Sequence, residues 1–122
     1  MKLINWIKGL FYKKVKIVRL SKGAILPTYG TAGAACVDIY ASEDSWVGPE
    51  MTIAIKTGFA IELPANYEFV IKPRSGMSYN TGLRVSNSPG CVDEDFRGEV
   101  KVLLTNIFGG KTYEIKKGDR IA

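Results

Sequence analysis

Histidine is absent from the 122-residue chain. That absence removes Ser-His-Asp hydrolysis and histidine-bound zinc, leaving carboxylates, lysines and tyrosines as general bases. Cysteine is scarce. Cys36 and Cys91 allow at most one disulfide and have no metal-ligand spacing, so both read as reduced packing residues. No apolar run is long enough to cross a bilayer, and no small-residue cleavage site follows the N-terminal segment, so a cytoplasmic or other intracellular location is expected. Runs of like charge are missing too. Lys and Arg number 17 against 12 Asp and Glu, a difference of five spread along the chain. Such a balance favours small polyanions such as nucleotides or simply keeps the surface soluble, and no nucleic-acid partner is expected.

What is present fits a single soluble domain. Apolar residues make up 46% and charged residues 24%, and the length suits one hydrophobic core. The first fourteen residues stand apart. Leu3, Ile7 and Leu10 recur at helical spacing, Ile4, Trp6 and Phe11 flank them, and Lys2, Lys8, Lys13 and Lys14 supply charge. Residues 1–14 are expected to form a short amphipathic helix docked on the chain's own body or a neighbouring subunit, with a membrane surface as the less favoured host.

From Val15 onward the pattern is strand-like. Strands are expected at 15–20, 36–41, 52–55, 59–63, 68–72, 83–85, 99–106 and 112–115, separated by Gly48-Pro49, Gly58, Pro64, Gly82, Pro89-Gly90 and Gly109-Gly110. Many short strands with glycine and proline between them, and no long helical pattern, predict an all-β fold, a distorted jelly-roll barrel over 15–122. One short helix is expected at 75–80, with Ser75 as its N-cap and Gly82 beyond its end.

Chemistry concentrates in two stretches. Gly90-Cys91-Val92-Asp93-Glu94-Asp95-Phe96-Arg97-Gly98-Glu99 reads as a β-hairpin whose tip holds three carboxylates, a ring and an arginine, with a glycine at each base. Pro73-Arg74-Ser75-Gly76-Met77 offers a guanidinium fork, a hydroxyl and the N–H groups of a helix start, a combination suited to phosphate. Asp38 lies in an otherwise apolar strand, where a carboxylate must be exposed, paired or near a cation. It is either the outward residue of an alternating strand or an outer-sphere contact for magnesium.

Four motifs in order, at 35–41, 73–77, 90–99 and Gly118-Asp119-Arg120-Ile121-Ala122, resemble the trimeric dUTP diphosphatases. The resemblance covers residues 15–122 and leaves the N-terminal segment outside. It implies hydrolysis of dUTP to dUMP and pyrophosphate in a homotrimer with sites between subunits, and magnesium on the triphosphate. Asp93 would activate the attacking water, and Phe96 would stack on the deoxyribose. Asn87, Gly90, Cys91, Val92 and Lys101 would form the uracil-reading surface; Arg74, Ser75 and Gly76 would hold phosphate, and Asp38 would meet waters of the metal.

Two departures from the family pattern stand out. Phe96 replaces the usual tyrosine, keeping the stacking face and losing a hydroxyl. The sequence reaches Ala122 before the glycine-rich C-terminal arm that family members fold over the triphosphate, so binding with slow turnover is expected. Two alternatives remain open at this point: a non-catalytic nucleotide-binding or regulatory module on the same fold, and a dCTP deaminase relative. Gly76, where the deaminases tend to carry serine, favours the diphosphatase, although Glu94 and Glu99 leave carboxylates to spare.

Overall fold

A computed structural model describes residues 13–122. The helix expected over 1–14 therefore lies outside the described residues, apart from Lys13 and Lys14, which are exposed and belong to no regular element. The strands in chain order are β1 (Lys16–Arg19), β2 (Thr28–Tyr29), β3 (Val37–Asp38), β4 (Ser45–Val47), β5 (Thr52–Lys56), β6 (Phe59–Glu62) and β7 (Phe69–Ile71). A single described helix, α1 (Ser75–Asn80), precedes β8 (Leu83–Val85), β9 (Gly90–Val92), β10 (Lys101–Asn106) and β11 (Tyr113–Ile115). Every ladder is antiparallel, in the pairings β1-β6, β5-β10-β8, β4-β11, β2-β3 and β7-β9. The architecture is an all-β jelly roll. Its ladders are separate small sheets, and none closes into a continuous barrel among the described residues.

The core is built on β10. Its alternation buries Val102, Leu104 and Asn106 while Lys101 faces out, as one face of a strand requires. Val102 meets Ile55 across β5, and Leu104 lies between Ile53 on one side and Val85 on the other. Phe59, Leu83, Val47, Val100 and Ile121 complete a fully buried cluster, each contributing about 1.5–3 kcal/mol. Asn106 is polar and wholly buried, and it is satisfied: its amide donates to Val47 O and Lys111 O and accepts from the Phe108 N–H. It ties β4 and the β10–β11 connection to the central strand.

Gly58 marks the point where the chain leaves one sheet for another. Its φ is +72°, and a Cβ there would stand 2.4 Å from Ser21 Oγ and 2.9 Å from Ala24 Cβ, so both backbone and space demand glycine. Its carbonyl accepts from the Leu20 N–H and its own N–H donates to Glu99 Oε1, joining β1, β6 and the start of the 99–106 stretch.

Several expectations change. The stretch 90–99 is not a hairpin, because β9 pairs with β7 and β10 pairs with β5 and β8. Its two arms enter different sheets, each drawn there by its own buried face. Only Val37–Asp38 of the 36–41 strand pairs as a ladder; the rest lies along residues 118–122, with Ile39 N–H to Ala122 O at 2.9 Å, Ile121 N–H to Ile39 O at 2.8 Å and a bridge between Tyr40 and Arg120. β2 and β4 are new. Helix α1 covers the expected residues, but its N-cap is Arg74 in extended conformation with no side-chain cap bond, and Ser75 is already inside the helix. Both cysteines are free, yet exposed rather than packed.

Candidate functional site

The first cleft, about 580 Å³, gathers Asn87, Gly90, Cys91, Val92, Asp93, Phe96 and Lys101 from β9, β10 and the segments beside them. Asp93 to Phe96 form a β-turn closed by the Phe96 N–H on Asp93 O at 3.1 Å, and Arg97 clamps it by donating to Glu94 O and Phe96 O. The two glycines of the stretch supply room. A Cβ at Gly98 would stand 2.8 Å from Phe96 Cζ, and one at Gly90 would stand 3.0 Å from Asn87 Nδ2. So the ring lies against Gly98 and the Asn87 amide against Gly90.

The carboxylates of this stretch differ in what they are bound to. Glu94 accepts the Asn66 N–H and Glu99 accepts the Gly58 N–H, anchoring the turn to the β6–β7 and β5–β6 connections. Asp93 is exposed, lines the cleft and accepts no hydrogen bond on its side chain among the described residues. Cys91 is also in the cleft. A hydrogen-bonding Glu68, its charge, partial desolvation and the charge of Asp93 hold the thiol above its ordinary pKa, so it stays protonated and poorly nucleophilic.

A second cleft, about 530 Å³, runs along β3, β7 and the start of α1 and includes Asp38, Arg74 and Ser75. Asp38 is fixed by two cations, Arg74 Nε at 3.1 Å on Oδ1 and Arg120 Nη1 at 3.4 Å on Oδ2. Its side chain is 20% exposed, and that of Arg74 is 28% exposed. In this half-buried pairing Asp38 is neither a bare outward residue nor a buried unpaired charge. Gly76 sits at the first turn of α1, and a Cβ added there would meet nothing within 4 Å. The fold itself leaves this position open.

The predicted site residues other than Gly76 thus fall into two groups that line different clefts, with Ile71 forming a wall of both, and Gly76 follows Ser75 in the chain without lining either. Arg120 is the residue sequence reasoning passed over. It was legible as part of the 118–122 motif, but its contact with Asp38 depends on the pairing of 118–122 with 39–41, which no local pattern announces.

For magnesium, the described residues hold no group of three or more His, Cys, Asp or Glu that would form a protein cage. Magnesium commonly uses one or two carboxylates together with phosphates and waters. A single Asp38, with one arginine on each oxygen and lone pairs remaining, fits outer-sphere contact and does not make a direct-binding cage. Among the described residues no helix is long and apolar enough to cross a membrane.

Comparison with known proteins is consistent in direction. Residues 22–122 match the dUTPase family. The chain is 45% identical over 111 residues to the deoxyuridine 5'-triphosphate nucleotidohydrolase of Zymomonas mobilis, covering 89% of this chain and 75% of that protein. It is 49% identical over 113 residues to that of Anaplasma marginale, covering 89% and 76%. Among solved structures, a mutant of the Staphylococcus bacteriophage 80alpha dUTPase with dUpNHpp superposes with a TM-score of 0.81 at 26% identity, covering 91% of this chain and 80% of the other. A mutant of the dUTPase from phage phi11 of S. aureus, which coordinates a structural Mg(II) ion, shares the fold with a TM-score of 0.82 at 24% identity, covering 90% and 87%.

Proposed function

Because the chain belongs to the dUTPase family, we propose that it hydrolyses dUTP to dUMP and pyrophosphate, at sites where the 580 Å³ cleft of one subunit meets the Arg74 turn of a neighbour in a homotrimer. The separation of the two residue groups within one chain supports shared sites, since neither cleft alone holds both the base-reading and the phosphate-binding residues.

The reading is carried by one observation. Asp93 is the carboxylate that lines the first cleft with its oxygens uncommitted, whereas Glu99 beside it is spent on the Gly58 N–H. Asp93 therefore takes a proton from a water as that water's oxygen bonds to the α-phosphorus and the bond to the β-phosphoryl oxygen breaks, releasing pyrophosphate. A carboxylate base of this kind contributes about 10²–10⁴-fold. Phe96, held against Gly98, gives the deoxyribose a flat apolar floor with no room for a 2'-hydroxyl. Peptide groups of Gly90, Cys91 and Val92, with Asn87 and Lys101, read the edge of uracil.

On the other side, Arg74 has its Nε engaged by Asp38, which leaves both Nη groups for phosphate oxygens. Ser75 and Gly76 contribute a hydroxyl and an unobstructed backbone N–H beside it. Magnesium, when bound, would neutralise phosphate charge, with Asp38 the residue placed to meet its waters.

The test is pyrophosphate release from dUTP, dCTP, dTTP and UTP, with and without magnesium. Release from dUTP alone, one dUMP per pyrophosphate and faster with magnesium, is the expected result. Ammonia from dCTP would replace this reading with the deaminase one, and binding of dUTP without any product would make the protein a non-catalytic module.

A further inference from the structure

We propose that Arg120 is a positioning residue for triphosphate recognition: it holds Asp38 from the side opposite Arg74, and Asp38 in turn sets the plane of the Arg74 guanidinium. This role rests on the function proposed above and adds a residue to it.

The geometry begins with backbone pairing. Tyr40 and Arg120 face each other in an antiparallel bridge flanked by Ile39 N–H to Ala122 O, Ile121 N–H to Ile39 O and Ala41 N–H to Asp119 O. Directly opposed residues in such a bridge send their side chains to one face, and so do residues two apart on a strand. Arg120, Tyr40 and Asp38 consequently share a face. Tyr40 is occupied by a 2.6 Å hydrogen bond to Thr28 Oγ1, which leaves Asp38 as the partner of Arg120.

The other acids near Arg120 are already engaged. Asp119 Oδ2 accepts the Lys116 N–H, and Glu114 pairs with Lys116 Nζ at 3.1 Å. Among the described residues Asp38 is the carboxylate paired with Arg120, and it is also the carboxylate paired with Arg74. Each oxygen is taken by a different arginine, so the carboxylate cannot turn about its own axis without losing one of them. Two cations on one anion leave one net positive charge at the cleft edge, favourable for a polyphosphate. Arg74 and Arg120 also line together a smaller cleft of about 330 Å³.

As a stability device the contact is weak. Arg120 is 51% exposed and 3.4 Å from Asp38, and exposed ion pairs of this kind are worth about 0–1 kcal/mol. Its consequence lies in orientation. With Arg120 gone, Asp38 has a single partner, the Arg74–Asp38 pair can swing, and the phosphate-binding Nη groups lose their fixed direction.

The experiment measures affinity for the non-hydrolysable analogue dUpNHpp and for deoxyuridine in the wild type, R120A, R120Q, R120K, R74A and R74A/R120A. R120A should weaken dUpNHpp by about tenfold with deoxyuridine unchanged, R120K should recover most of the loss, and in the R74A background removing Arg120 should cost little more. R120Q, which keeps the aliphatic stem as far as Cδ and removes the charge and the reach, gives the same reading if R120A does not fold. Full additivity of R74A and R120A, equal losses for both ligands, or no loss in either variant would overturn the role. If the wild type binds deoxyuridine and dUpNHpp not at all, the proposed function falls and this role with it.

Discussion

The two clefts are built by opposite means. On the Asp38 side, position comes from charge: two guanidinium groups grip one carboxylate, and Arg74, the group proposed to meet phosphate, is one of the grips. On the Asp93 side it comes from absence of bulk and from backbone bonds: glycines admit the Phe96 ring and the Asn87 amide, and Glu94, Arg97 and Glu99 spend their polar atoms on main-chain groups. The difference follows the task. On the proposed function, phosphate would be met by charge that must be aimed, a base and a sugar would be met by shape, and a carboxylate that is to accept a proton would be left without partners.

The largest effect expected from breaking this contrast is at Asp93. Asp93→Asn should lower kcat by about 10³-fold or more while dUpNHpp binding stays within about twofold, because the amide cannot take a proton but preserves volume and turn. Retention of most of the turnover would remove Asp93 from its role. Next is Arg74→Ala, which deletes a charged fork and should weaken dUpNHpp by about 30- to 100-fold, equivalent to about 2–3 kcal/mol, with deoxyuridine barely affected. Equal loss for both ligands would make Arg74 a structural arginine.

Gly98→Ala sharpens the shape side of the comparison. The new methyl would come within 2.8 Å of Phe96 Cζ, so the ring must move. The KM for dUTP should rise about three- to tenfold and discrimination against UTP should fall, with kcat less affected. A KM unchanged in a folded variant would show that the ring is not part of the sugar site. The smallest change in stability is expected for Gly76→Ser, where a Cβ meets nothing within 4 Å. Its Tm should stay within about 2 °C of the wild type, while triphosphate affinity falls several-fold if a ligand approaches the backbone there. A large drop in Tm would show instead that the fold itself needs this glycine.

The sequence carried the strands with strong alternation and the chemistry of both stretches. Val102 and Leu104 on β10 repeat every second residue, and that period survives in the burial of the strand, whereas on β6 Phe59, Ala60 and Ile61 are buried in succession. The family resemblance likewise grouped Asn87, Asp93, Phe96 and Lys101, which line one cleft. Partner choice was less visible. The Gly90 to Glu99 stretch has a polar tip with a glycine at each base, which is what a hairpin looks like, yet β9 finds β7 because the pairing is decided by sheets distant in sequence. The same holds for Arg120, whose neighbour Asp38 is supplied by non-local pairing. Short strands such as Thr28–Tyr29 and Ser45–Val47 have too few residues to display a period at all.

The claim that the two clefts are halves of one site is tested most directly by complementation. The Asp93→Asn and Arg74→Ala chains, each nearly inactive alone, are co-expressed with distinct tags, hybrid trimers are isolated, and pyrophosphate release from dUTP is measured. If each site draws Asp93 from one subunit and Arg74 from its neighbour, every hybrid trimer, whether 2:1 or 1:2, keeps both residues intact at one of its sites, and activity should return to about a third of the wild type. A hybrid population no more active than the two parents combined would contradict the shared site and place both residues' work within a single chain.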